Sequence, residues 1–136
     1  MAGLFTAIDH LGIATPSLDE ALPLYMGVFG LEVTLRAVLE DQGVEVALLR
    51  CGSQQIELLA PTRPDSSVGT FLAERGSGLH HVAYRVPDIV AALAHCREAG
   101  LQLVDAAPRP GAGGHLVAFL HPRSTGKVLI ELVETG

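Results

Sequence analysis

The sequence predicts an α+β fold in which two tandem βαβββ modules join into one curved, mixed β-sheet that lines a cavity. Three features carry this prediction. The two halves of the 136-residue chain resemble each other, strand-like alternation opens and closes each half, and each half holds one helix-sized stretch with start and stop signals.

The repeat is visible residue by residue. "IDHLGIATPSLDEAL" (8–22) lines up with "LHHVAYRVPDIVAAL" (79–93), matching His10 with His81, Pro16 with Pro87, Ser17 with Asp88 and Leu22 with Leu93, each 71 positions apart. Gly30-Leu31-Glu32 then matches Gly100-Leu101-Gln102, and "IELL" (56–59) matches "IELV" (130–133) at an offset of 74, a slippage that loops between strands tolerate. The modules span about 5–61 and about 78–134, with a connector at about 62–77. Some 70 residues per half is too little for two separately stable domains, so residues 1–136 are expected to form a single domain.

The elements follow in order. After the first strand, Ser17-Leu18-Asp19-Glu20 fits the capping box that starts a helix, and Gly30 is its natural stop. Pro23 should kink or shorten that helix, because it removes a backbone donor. "QGVEVALLR" (42–50) reads as a strand, and "GSQ" (52–54) as a turn into "QIELLAP". The connector has a Pro-rich start, a short helix from about Val68 to Glu74 and a glycine-rich exit. In the second module Asp88 is an N-cap behind Pro87, and Ile89, Leu93 and Cys96 share one helical stripe, so Cys96 reads as a small core residue. "HLVAFLHP" and "KVLIELV" then flank the turn "RSTG", so each half reads as strand, helix and three strands.

Alternation sorts the histidines. His10, Gly12 and Ala14 share one strand face, and His81 and Ala83 share the matching face, opposite His80, Val82 and Tyr84. Glu57 and Glu131 alternate with the apolar Ile56, Leu58 and Ile130, Leu132, so each carboxylate turns away from the apolar core face. Two imidazoles and two carboxylates at corresponding positions suit a borderline divalent metal such as zinc, cobalt, nickel, manganese or iron, whereas calcium would want more oxygen ligands. A single strand histidine is usually structural; the repetition of the His and Glu pair is what makes His10, Glu57, His81 and Glu131 a candidate metal set. His80 reads as a supporting or core residue and His95 as a solvated helix residue, while His115 and His121 lie near the glycine-rich loop as candidate substrate contacts.

Composition narrows the partners. A net charge of -6, no basic cluster and no Trp argue against nucleic acid and membrane surfaces. No apolar run approaches the roughly 20 residues of a membrane span. The start "MAGLFTAIDH" lacks a basic segment, a signal-peptide core or a cleavage site, and the reading is a soluble, cytoplasmic chain acting on a small molecule. Cys51 and Cys96, far apart and outside any C-x-x-C, indicate neither a disulfide framework nor a thiolate zinc site.

Duplicated units with His and Glu on their first and last strands resemble the vicinal oxygen chelate, or glyoxalase-like, superfamily. Four stretches look specifically like its methylmalonyl-CoA epimerases: "IDHLGIA", "ELLAPTRPDSSVGTFLAERGSGLHHVAYRV", "APRPGAGGHLVAFLHP" and "KVLIELV". The resemblance implies that His10, Glu57, His81 and Glu131 ligate a divalent metal, with cobalt foremost and manganese, nickel or zinc as alternatives. It also implies an acyl-CoA substrate, a homodimer, and interconversion of (R)- and (S)-methylmalonyl-CoA. Removing the C2 proton leaves an enolate that a Lewis-acidic metal stabilises, while two carboxylates remove and return the proton.

One departure matters. Some epimerases resemble "QGVxE", whereas this chain reads Gln42-Gly43-Val44-Glu45-Val46, which places Glu45 one residue early and, on a regular strand, on the opposite face. Only a bulge would restore it, so Glu131 is expected to work with Glu57, as in the ligand-carboxylate mechanism that glyoxalase I suggests. Arg109, Arg123 and Lys127 border the loops beside the site and are candidates for holding the anionic CoA tail. The alternatives are a glyoxalase I-type lactoylglutathione lyase and a non-catalytic small-molecule-binding module of the same fold.

Overall fold

The computed structural model describes residues 3–135. Strands β1 (Ala7–Ala14), β2 (Glu32–Leu39), β3 (Val44–Cys51), β4 (Gln54–Pro61), β5 (Gly78–Val86), β6 (Arg109–Pro110), β7 (Leu116–Leu120) and β8 (Ile130–Glu134) form one mixed sheet in the order β2-β3-β4-β1-β5-β8-β7-β6. Three α-helices accompany them: α1 (Leu18–Leu22), α2 (Ser67–Arg75) and α3 (Ile89–Glu98). The chain clusters into two compact units, one running from His10 to His80, the other made of the segment that ends at Asp9 and the segment that begins at His81. Among the described residues no helix is long and apolar enough to cross a membrane.

In the unit from His10 to His80, β1 runs parallel to β4, and β2, β3 and β4 form an antiparallel meander. The β3–β4 hairpin closes through Gly52 and Ser53, with Gly52 at a φ of +64° that suits a residue without Cβ. Odd residues of β3 and even residues of β4 face the helix: Ala47, Leu49, Leu58 and Ala60 pack with Leu18 of α1. Burying each of these leucines contributes about 2 kcal/mol. The opposite face carries Val44, Val46, Leu48 and Leu59 around the buried Glu57.

Pro23 acts as expected, and further. α1 lasts five residues, and from Pro23 to Val28 the chain continues as a π-helix, in which Phe29 N–H donates to Leu24 O at 2.9 Å. A proline cannot donate to the carbonyl four residues back, and the wider turn re-pairs the backbone beyond it. Ser17 occupies the N-cap with extended backbone, but its side chain makes no capping bond. The capping box expected at Ser17 and Glu20 is therefore not formed. The connector helix α2 is present, and there Ser66 Oγ does accept from Gly69 N–H at 3.0 Å.

In the other unit α3 is unbroken and better held. Asp88 Oδ1 accepts from Ala91 N–H at 3.1 Å, and Glu134 Oε2, from the end of β8, accepts from Ile89 N–H at 2.9 Å. Two carboxylates thus satisfy donors that a helix N-terminus leaves open. Ile89, Leu93 and Cys96 enter a core with Val86, Leu120 and Leu132, and burial pushes the Cys96 thiol up, which keeps it inert. The three strands expected after the helix are uneven: β6 has two residues, and Leu103 makes only an isolated bridge to Leu120. Pro108 and Pro110 lack the N–H groups that a longer ladder needs.

Candidate metal centre

Register places each histidine beside its glutamate. In the parallel pair β1–β4, Gly12 stands opposite Glu57, two residues after His10 on the same face. In the parallel pair β5–β8, Ala83 stands opposite Glu131, two residues after His81. Glycine and alanine at these positions leave room for the carboxylate beside them. The results are His10 Nε2 at 3.5 Å from Glu57 Oε1 and His81 Nε2 at 3.2 Å from Glu131 Oε1.

All four residues are buried, and one ligand atom from each lies within 4.8 Å of all the others. Two buried carboxylates brought this close repel each other unless a cation or protons intervene. Two imidazoles and two carboxylates match the donor preference of a borderline divalent metal and leave coordination positions for water or a ligand.

The flanking residues differ between the two pairs. The antiparallel neighbour of Glu131 is Phe119 on β7, whose ring meets the His81 ring edge-on at 5.5 Å and an interplanar angle of 87°. The corresponding neighbour of Glu57 is Leu48. Arg109, by register with Val117 and Val133, lies on the same face as Phe119 and Glu131, and its guanidinium carbon sits 5.9 Å from the Phe119 ring. Asp105 links the two, accepting from Phe119 N–H at 2.8 Å and pairing with Arg109 Nε at 3.5 Å. Sequence reading found Arg109 but not Phe119 or Asp105. Phe119 shows the alternation of a site-facing residue, yet an aromatic in a strand reads first as core.

The remaining candidates separate from this set. His80, on the opposite face, packs edge-on against Phe71 at 5.0 Å. His95 and His115 are exposed. His121 caps its own turn, with Nδ1 accepting from Arg123 N–H at 3.0 Å, and the Arg123 side chain reaches Gln102 Oε1 at 3.5 Å. Lys127 is exposed and holds a positive φ of 70° in the turn before β8.

Glu45 points away from the site. β3 and β4 stay in register from Val44 to Cys51, with Glu45 opposite Ala60, and the register shift in this meander lies between Val33 and Leu35, against β2. No bulge turns Glu45 round. It pairs with Arg36 at 2.9 Å, and Arg36 also reaches Asp19 at 3.2 Å; Glu45 first and Asp19 second raise the guanidinium pKa further. A second ion pair that the sequence did not disclose joins Arg85 Nε to the buried Asp9 Oδ1 at 2.8 Å.

The model of the Glyoxalase/Bleomycin resistance protein/Dioxygenase superfamily matches residues 9–119. An ethylmalonyl-CoA/methylmalonyl-CoA epimerase of Cereibacter sphaeroides is 36% identical over 127 residues, covering 92% of this chain and 95% of the relative. The chain belongs to the methylmalonyl-CoA epimerase family of this superfamily. Among solved members of the family, a methylmalonyl-CoA epimerase in complex with methylmalonyl-CoA and ammonium is 40% identical, with a TM-score of 0.94 over 97% of this chain and 96% of that one. The Mycobacterium tuberculosis methylmalonyl-CoA epimerase is 37% identical, with a TM-score of 0.95 over 100% and 92% of the two chains. The fold is accordingly the vicinal oxygen chelate fold that the resemblance implied.

Proposed function

We propose that this chain is a divalent-metal-dependent epimerase that interconverts (R)- and (S)-methylmalonyl-CoA by exchanging the proton at C2. The observation that carries the reading is the buried cluster of His10, Glu57, His81 and Glu131, with one ligand atom of each within 4.8 Å of the rest. Its family setting supplies the substrate class, since its relatives carry that activity in their names.

These four residues would hold the metal, and when bound it supplies Lewis acidity for the negative charge that develops on the thioester oxygen. The chain's own carboxylates handle the proton. Glu131 takes it from C2 and Glu57 exchanges it on the second face, since Glu45, the other candidate, is committed to Arg36. Burial of both glutamates keeps bulk water away from the two carboxylates that exchange the proton. Cobalt is the metal proposed, with manganese, nickel or zinc as substitutes. A homodimer is proposed as well, and a sedimentation mass of one chain would refute it. The acidic charge and the want of long apolar runs support a cytoplasmic location.

Incubation of the cobalt-loaded protein with (R)-methylmalonyl-CoA in deuterated water is the test. Deuterium at C2 together with the (S)-epimer is the expected result; neither appearing would sink the assignment.

A further inference from the structure

The charge of the protein poses a problem for its substrate. An acyl-CoA with a free carboxylate is strongly anionic, the chain carries a net charge of -6, and Glu57 and Glu131 add two buried carboxylates at the site. Attraction has to come from a local cation.

Arg109 is placed to provide it. The register of β6 with β7 puts it on the face that carries Phe119, Glu131 and His81. Among the described residues its partners are Asp105, which meets it at Nε, and the Phe119 ring. Nε itself is buried without a hydrogen-bond acceptor, and a third of the side chain remains exposed. The guanidinium is therefore held by a carboxylate at Nε and by a ring that also touches His81, while part of the side chain stays open to solvent. A guanidinium in this state offers a planar pair of donors suited to carboxylate or phosphate oxygens.

We propose that Arg109 is a specificity residue that binds an anionic oxygen group of the substrate, with Asp105 and Phe119 as the residues that aim it. This rests on the epimerase reading and deepens it. Of the other cations in this half, Arg85 pairs with Asp9, Arg97 reaches Ala106 O and Arg123 reaches Gln102 in a turn, while Lys127 is exposed in the turn before β8.

The test separates binding from turnover. Equilibrium binding of methylmalonyl-CoA is measured in the metal-loaded Glu131→Gln protein, in which exchange should be slowed about 100-fold or more, with and without Arg109→Gln. Loss of charge-assisted hydrogen bonds should weaken binding about tenfold or more. Arg109→Lys should recover part of the loss, and metal content should stay at the parent value. In the otherwise unaltered enzyme, KM should rise by more than kcat falls. Repeating the titration with methylmalonyl-pantetheine, which has no phosphates, locates the contact: equal loss with both thioesters assigns the carboxylate, and loss with the CoA thioester alone assigns a phosphate. Binding unchanged within twofold for both thioesters would overturn the proposal, as would loss of metal from Arg109→Gln. Failure of the unaltered protein to exchange deuterium would instead refute the epimerase reading, so the two failures are distinguishable.

Discussion

The two modules present the same pair of candidate ligands in different settings. His10 and Glu57 stand 3.5 Å apart, with aliphatic Leu48 beside the carboxylate; His81 and Glu131 stand 3.2 Å apart, with Phe119 in the same position and Arg109 beyond it. Their helices differ in parallel. α1 gives way to a π-helix after five residues and its N-cap serine makes no side-chain bond, whereas α3 runs for ten residues under two capping carboxylates. Both modules keep a histidine and a glutamate two register positions apart, the pattern proposed to hold the metal. The surroundings differ: the second half sets Phe119 beside Glu131 with Arg109 on the same face, whereas the first half sets Leu48 beside Glu57, with Arg50 further along that face.

The largest effects should come from breaking that shared pattern. His81→Ala or His10→Ala removes a proposed ligand and should cost more than about 100-fold in cobalt affinity, beyond what loss of an outer partner costs. His80→Ala removes the ring contact with Phe71 on the opposite strand face and should keep the metal while losing about 1 kcal/mol of stability. Calorimetric titration with cobalt, run beside thermal melts, reads both. If His80→Ala lost the metal instead, the strand alternation would be assigned wrongly.

Next come the carboxylates. Glu131→Gln should slow C2 exchange by about 100-fold or more with the fold intact. Glu57→Gln with metal retained and exchange lost would assign it the second proton transfer, and retained activity would confine it to ligation. Glu45→Gln should change exchange by less than about threefold and stability by under about 1 kcal/mol, since it gives up one exposed ion pair. Deuterium incorporation followed by mass spectrometry orders the three.

A smaller effect follows from making the halves alike. Phe119→Leu gives the second pair the neighbour that the first already has, and should weaken cobalt binding about tenfold by loosening His81. No change in affinity would mean that the ring merely fills space. Smallest of all, Asp88→Ala should cost about 1 kcal/mol, as N-cap losses do, and Ser17→Ala clearly less. Equal shifts in Tm would contradict the difference between the two caps.

Much of the site was legible in the chain because the signals are local. Side-chain parity along a strand separates His81 from His80 without knowledge of the fold, and the 71-residue repeat pairs His10 with it. The same parity turns Glu45 away, and the unbroken β3–β4 register agrees. The stop imposed by Pro23 and the cap at Asp88 are likewise one-turn effects of a missing donor and an available acceptor.

Tertiary structure decided what depends on distant residues meeting. Nothing near Phe119 in sequence says that its ring will touch His81, and nothing near Asp9 announces Arg85, 76 residues away. The π-helical form of residues 23–28 reflects how the freed backbone re-pairs, and the two-residue β6 depends on which donors its proline-flanked neighbours can offer β7. Periodicity reports which face a side chain occupies; which partner waits on that face is set by strand register and rotamer, and these exist only once the sheet has formed.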